Sequence, residues 1–396
     1  MSQIQTDPSH SFRRSARMSG IQLSEIVQIS ERARALRAEG RNVVALSTGE
    51  PDFPTPDNVI AAAHRAALDG KTTYPPTMGT VDLRAAIADQ AGVSAAQVIV
   101  STGAKQVLSN AMLATLDPGD EVIMPAPYWT SYSDIVAMAG GTPVVLTCDM
   151  AQGFKLTAAQ LAAAITDQTR WVMLNSPSNP SGAIYSVGEQ AELADVLRAH
   201  PHVMVLVDEI YAHLSYTPFT SFAEVAPDLA DRILIVNGVS KAYAMTGWRI
   251  GWGIGPAEMI RALGAVQGQV TSGACSISQA AALEAISGDQ SLLVDRRRAM
   301  CARRDRMVTA LNGVAGITCP VPDGAFYVFP DIRDAMAAGG FATDVEFCST
   351  LLEQAGVAIV PGRAFGLPGH ARLSFAYSDA EIDTGLTRIA EFVASF

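Results

Sequence analysis

The segment Gly238-Val239-Ser240-Lys241-Ala242-Tyr243 follows an apolar run, Ile233–Val236, that reads as a β-strand. A lysine just beyond a strand's carboxyl end sits where the pockets of open α/β sheets form. An amine held partly neutral there can form a Schiff base with a carbonyl compound. Arg249 follows within the same glycine-bounded stretch. A neighbouring cation and partial burial both lower a lysine's pKa. Ser240 and Arg249 together can hold a phosphate. Taken singly, Lys241 would read as an ordinary surface lysine, so its weight depends on what accompanies it.

Asp208 ends the apolar strand Val203–Val207, and Tyr211 follows it. A buried acid needs a partner. A protonated pyridine nitrogen would serve, and Tyr211 could bond a phenolic oxygen of the same ring. A helix N-cap aspartate is the plainer alternative. After the strand Trp171–Leu174 comes Asn175-Ser176-Pro177-Ser178-Asn179-Pro180-Ser181-Gly182, a proline-braced loop. There Asn179 can donate to a cofactor oxygen or a carboxylate. Ser101-Thr102-Gly103-Ala104-Lys105-Gln106 joins a strand to a helix. Its glycine admits a close ligand, and the helix N-terminus offers free amides to a phosphate. It is neither a Walker A loop nor G-x-G-x-x-G. Trp129 can stack on an aromatic ring. Arg372, heading a late strand, is a candidate bidentate clamp for a carboxylate.

The elements that must position these residues alternate. Strands are expected at Val98–Ser101, Glu121–Met124, Pro143–Leu146, Trp171–Leu174, Val203–Val207 and Ile233–Val236. Helical spacing fills most gaps, as at Ala104–Leu116, Thr130–Ala139 and Gly188–Ala199. That alternation predicts an α/β fold with a mainly parallel sheet covered on both faces. Beyond about residue 290 the pattern changes to a long Arg-rich helix near Leu292–Leu311, short strands at Ala325–Phe329, Val357–Val360 and Arg372–Phe375, and a last helix Asp379–Val393. This reads as a second, smaller α+β domain. A strand at Val43–Ser47 and a helix at Ser24–Ala38, capped by Ser24, are expected to pack with it.

Composition narrows the function. The chain has 396 residues, 49% apolar and 17% charged, with a net charge of −11. The length suits two domains at about 150 residues each. The negative charge argues against nucleic-acid or anionic-membrane partners. Cys148, Cys275, Cys301, Cys319 and Cys348 show no C-x-x-C spacing. No disulfide framework and no metal site is expected, and a reducing cytoplasm fits. The first twenty residues lack the apolar segment of a secretory signal. No apolar stretch approaches the ~18–20 residues of a membrane span.

Taken in order, Gly49-Glu50-Pro51-Asp52-Phe53, Tyr74, Gly103-Ala104-Lys105, Pro127-Tyr128-Trp129, Asn179-Pro180-Ser181-Gly182, Asp208-Glu209-Ile210-Tyr211, Ser240-Lys241, Arg249 and Arg372 resemble one family over nearly the whole chain. It is the pyridoxal-phosphate-dependent aminotransferases of class I and fold type I. The chain looks most like the bacterial aspartate aminotransferases of the prokaryotic subgroup.

The resemblance implies a large domain, 48–290, with a mainly parallel seven-stranded sheet between helices. Residues 1–47 and 291–396 would form the small domain with an N-terminal arm. Pyridoxal 5'-phosphate would be the cofactor. Lys241 would bind it and move the substrate's Cα proton, while Asp208 keeps its ring nitrogen protonated. Tyr211 and Asn179 would bond the ring's phenolic oxygen, and Trp129 would stack on the ring. Gly103, Ala104, Lys105, Ser240 and Arg249 would surround the cofactor, with Tyr74 reaching the phosphate of a second subunit. Arg372, the Gly49 backbone and Asn179 would hold the substrate's α-carboxylate.

The expected reaction moves the amino group of aspartate or glutamate to a 2-oxo acid such as 2-oxoglutarate, by a ping-pong route in a cytoplasmic homodimer. Lys105 carries the substrate expectation. In the resembling subgroup a lysine at this position meets the substrate's distal carboxylate. An aromatic or prephenate aminotransferase is the nearest alternative, and a lyase of the same fold is more remote. Relatives acting on prephenate carry a lysine where this chain has Gln22.

Overall fold

A computed structural model describes residues 13–21 and 23–396, so Gln22 and the first twelve residues lie outside the described residues. The strands in chain order are β1 (Val44–Ala45), β2 (Val98–Thr102), β3 (Glu121–Ala126), β4 (Thr142–Thr147), β5 (Thr169–Asn175), β6 (Met204–Asp208), β7 (Ile233–Gly238) and β8 (Ile250–Ile254). They continue with β9 (Tyr327–Val328), β10 (Val357–Ala358), β11 (Val360–Pro361) and β12 (Ala371–Ser374).

The central sheet has seven strands in the order β2-β8-β7-β6-β5-β3-β4. Strands β3 to β7 pair in parallel. Their inner members are near-continuous apolar runs, as a sheet covered on both faces requires. Alternate side chains feed two cores. Leu206, Leu234 and Val236 pack with Val107, Ile260 and Leu263 on one face. Val205, Val207 and Ile235 pack with Leu193 and Leu197 on the other.

Strand β8 is the element the sequence pattern hid, and it runs antiparallel to both β2 and β7. Its glycines weaken strand propensity, and Gly251-Trp252-Gly253-Ile254-Gly255 resembles the G-x-G-x-x-G nucleotide fingerprint but fails it at Pro256. A Cβ at Gly251 would collide with the backbone of Ala104. The glycine therefore lets the helix Ala104–Thr115 start hard against β8. Being antiparallel, β8 begins at the sheet edge where the parallel strands end. That places Arg249, its preceding residue, beside the loop after β7.

The long helix Ser291–Asn312 leads into a separate core. Met307 and Leu311 pack there with Phe347, Ile382 and Ile389 from the helices Asp344–Ala355 and Asp379–Val393, and with Val44 and Leu46 from the N-terminal side. The expected strand at 357–360 divides in two. Val357–Ala358 pairs with β1 in parallel, while Val360–Pro361 pairs with β12 antiparallel. The expected strand at 325–329 narrows to β9, because Ala325 turns to φ 58°. Ser24 precedes the helix Glu25–Ala38 without a side-chain cap bond.

Candidate active site

The carboxyl ends of the parallel strands, the start of β8 and the small domain enclose a cavity of about 290 Å³. Of the residues singled out from sequence, Gly49, Ala104, Lys105, Trp129, Asn179, Asp208, Tyr211, Ser240, Lys241, Arg249 and Arg372 line it. Gly103 stands immediately behind, at the start of the Ala104–Thr115 helix. Tyr74 does not line it. That side chain is 91% exposed and borders a separate groove.

Lys241 Nζ donates to the carbonyl of Gly49 at 2.7 Å. Burial, then the charges of Arg372 and Arg249, lower its pKa to about 8. Such an amine is a usable base and nucleophile near neutral pH.

Asp208 is buried, and among the described residues it makes no ion pair. Burial pushes its pKa up to about 6, against the lowering effect of Tyr132, the Ile210 amide and Lys241. An acid held this way gains from meeting a ring N–H⁺. It follows no helix N-cap pattern, since a short 3₁₀ turn, Ala212–Leu214, comes next.

The phosphate side is built from backbone and cation. The first amides of the Ala104–Thr115 helix have no intrahelical acceptors. Gly103 has φ 80°, and a Cβ there would strike the Arg249 guanidinium. The glycine thus keeps the cation and the helix end together. Arg249 Nη1 also donates to the Thr246 carbonyl at 2.7 Å. Ser240 lies buried beside them.

On the small-domain side stands Arg372, 1% exposed. Nη1 donates to Asn179 Oδ1 at 3.0 Å and Nη2 to the Ser47 carbonyl. Nε has no partner among the described residues. The guanidinium lies 4.5 Å from the Tyr327 ring centroid and 4.9 Å from that of Phe365. A buried cation with only neutral acceptors is costly unless an anion arrives. At the mouth, Lys105 Nζ sits 4.7 Å from the Trp129 ring centroid. Burial, then Arg249, lower its pKa.

Sequence reasoning gave no role to several residues here, Asn175, Tyr132 and Ile26 among them. Asn175 donates to the Asp208 carbonyl at 2.8 Å and accepts from the Asn179 amide at 2.7 Å, so it sets the loop that carries Asn179. Tyr132 donates to Asp208. Its three-residue spacing from Trp129 was the available signal. Ile26 enters the cavity from the helix Glu25–Ala38, with no signal in the sequence.

The donors fit pyridoxal phosphate: an acid for its ring nitrogen, an amine for its aldehyde, and a helix end with an arginine for its phosphate. Fold and site together define a pyridoxal-phosphate enzyme of the doubly wound α/β type. The family described as aminotransferase class I and II matches residues 41–389. An aspartate/prephenate aminotransferase from Cereibacter sphaeroides is 50% identical over 384 residues, covering 94% of this chain and 96% of its own. An aspartate aminotransferase from Rhizobium meliloti is 49% identical over 392 residues, covering 96% of each chain. The crystal structure of a Rhizobium meliloti aspartate aminotransferase superposes with a TM-score of 0.93 at 49% identity, over 97% of this chain and 99% of that one. The Thermus thermophilus aspartate aminotransferase with maleate gives 0.91 at 38% identity, over 96% of this chain and 100% of that one. The chain belongs to the class I and II aminotransferases, enzymes that use pyridoxal phosphate to move amino groups.

Proposed function

We propose that the protein transfers the amino group of aspartate or glutamate to a 2-oxo acid such as 2-oxoglutarate. The observation that carries this reading is the pair of cations on one cavity. Arg372 is buried without a carboxylate partner, and Lys105 waits at the mouth. A substrate with two carboxylates satisfies both, whereas an apolar side chain would leave Lys105 unpaired. The relatives named for aspartate support the same choice. A prephenate activity is the second reading, supported by the Cereibacter sphaeroides relative, which is named for both aspartate and prephenate.

Bound in this cavity, pyridoxal phosphate supplies an electrophilic carbon for the substrate amine and a ring that draws electrons from the substrate Cα. Arg372 and Asn179 hold the α-carboxylate, which fixes the Cα hydrogen toward Lys241. Lys241 Nζ, released from the Gly49 carbonyl, would take that proton as the base and later return it. Asp208 would hold the proton on the cofactor's ring nitrogen. Tyr211 and Asn179 would bond its phenolic oxygen, and Trp129 would cover its ring. Tyr327, which donates to or accepts from Tyr211 at 3.0 Å, joins the small domain to this wall and helps exclude water.

The same reading divides the chain into a large domain, 48–290, and a small one, 1–47 with 291–396, of which residues 1–12 and 22 lie outside the described residues. The working unit is a homodimer. Its support is Tyr74, exposed on a groove of about 540 Å³ that it shares with Arg65, Lys71 and Ser276. A tyrosine there can serve a phosphate only across a subunit boundary. A cytoplasmic setting is supported by five free cysteines. Among the described residues no helix is long and apolar enough to cross a membrane.

The test is a half-reaction. Holoenzyme is mixed separately with aspartate, glutamate, phenylalanine and alanine, and loss of its visible band is followed. Fast loss with aspartate and glutamate alone is expected. Preference for phenylalanine would overturn the dicarboxylate assignment.

A further inference from the structure

The Asp208 carboxylate is held by two donors of different kinds. Oδ1 accepts from the Ile210 amide at 3.1 Å, a bond local to the chain. Oδ2 accepts at 2.8 Å from the Tyr132 hydroxyl, which arrives from the helix Ser131–Ala139. Tyr132 is 2% exposed. Its ring meets Trp129 edge-on, with centroids 5.5 Å apart and planes at 89°.

We propose that Tyr132 is a positioning residue that fixes the plane of the Asp208 carboxylate for the cofactor's ring nitrogen. The proposal rests on the reading that this nitrogen meets Asp208. The terminal torsion of an aspartate is broad. The Ile210 amide holds one oxygen and leaves the carboxylate free to swing about it. A second donor from another element removes that freedom and leaves unused lone pairs on both oxygens.

The donor's chemistry also matters. A phenol stabilises the ionised carboxylate without cancelling its charge, whereas a lysine or arginine in its place would take the ring's role. The titratable groups facing Asp208 agree with this. Lys241 faces it from the loop after β7, Tyr211 and Glu209 lie on its own segment, and Tyr132 is the donor. The short stretch Trp129–Tyr132 thus supplies both the surface that covers the ring and the bond that aims the ring's acid.

The test is Tyr132→Phe in the holoenzyme, which removes one oxygen and keeps the packing. Cofactor affinity is expected to fall about tenfold and kcat about ten- to a hundredfold, the range for a lost bond to a charged group. KM for aspartate should stay within about twofold, since Arg372 and Lys105 are untouched. The pH midpoint of the visible band should move upward, because less positive charge remains on the ring. Val136→Ala, a buried change on the same helix, controls for packing. It should lower the melting temperature and leave the midpoint in place.

A wild-type band, affinity and kcat in Tyr132→Phe would overturn the role of Tyr132 alone. A midpoint shift of the same size in Val136→Ala would overturn it too. No visible band in wild-type protein with excess pyridoxal phosphate would overturn the cofactor reading and this proposal with it.

Discussion

Nη1 of Arg372 lies 3.0 Å from Oδ1 of Asn179, an amide oxygen, and no carboxylate among the described residues pairs with that guanidinium. Arg303 differs, since it is met by both oxygens of Asp52 at 2.7 and 2.9 Å. On the proposed reading, this buried guanidinium is an anion site held ready, with Asn179 oriented by Asn175 at its side. The planar fork, rather than charge alone, makes it selective for a carboxylate.

Arg372→Lys keeps the charge and loses the fork. Its kcat/KM for aspartate should fall about a hundredfold or more. Steady-state kinetics with both the amino donor and the oxo acid check this. Unchanged KM values would remove Arg372 from substrate binding.

Lys105→Leu should discriminate between substrates. Half-reaction rates with aspartate and glutamate should drop by about thirtyfold, a typical cost for losing one charge pair. Rates with alanine and phenylalanine should hold or rise, because a cation no longer lacks a partner beside an apolar side chain. A uniform loss across all four would make Lys105 a structural residue.

Asp208→Asn should abolish transfer yet stabilise the cofactor-free protein at high pH. Burial raises the folded pKa of Asp208 from 3.8 to about 6. Its contribution to stability is full below the unfolded value and is lost as pH rises through about 6. At pH 8 the amide should restore about 3 kcal/mol, and near pH 3 nothing. Melts of the cofactor-free variant and wild type across that range decide it, with equal pH slopes as the refuting result.

Lys241 has the opposite sign. Its folded pKa is lowered from 10.5 to about 8, so its contribution is full above the unfolded value and lost as pH falls through about 8. Lys241→Met should therefore raise the melting temperature of the cofactor-free protein at pH 7. The gain should vanish near pH 11. A variant that melts like wild type at pH 7 would contradict a desolvated amine.

Tyr74 is the test of the shared site. Mixing Lys241→Met subunits with Tyr74→Phe subunits should yield hybrid dimers. In these, one site carries both defects and the other neither. Activity should recover toward a quarter of wild type, about the fraction statistical mixing gives for intact sites. No recovery would place Tyr74 outside any partner's site.

The sequence alone determined the alternation of strands and helices, because apolar period and turn chemistry are local properties. It also marked most residues of the cavity, since each sits just past a strand end or at a helix start, and fold type I repeats that order. Strand β8 escaped because its glycines answer to the packing of Ala104, not to its own propensity. The tertiary structure alone decided the bonds between distant segments. Lys241 meets the Gly49 carbonyl across 192 positions, Arg372 meets Asn179 across 193, and Tyr132 meets Asp208 across 76. Those contacts set which cation lacks an anion and which acid lacks a base. Burial then shifts the affected pKa values, and burial exists only once the chain has closed around them.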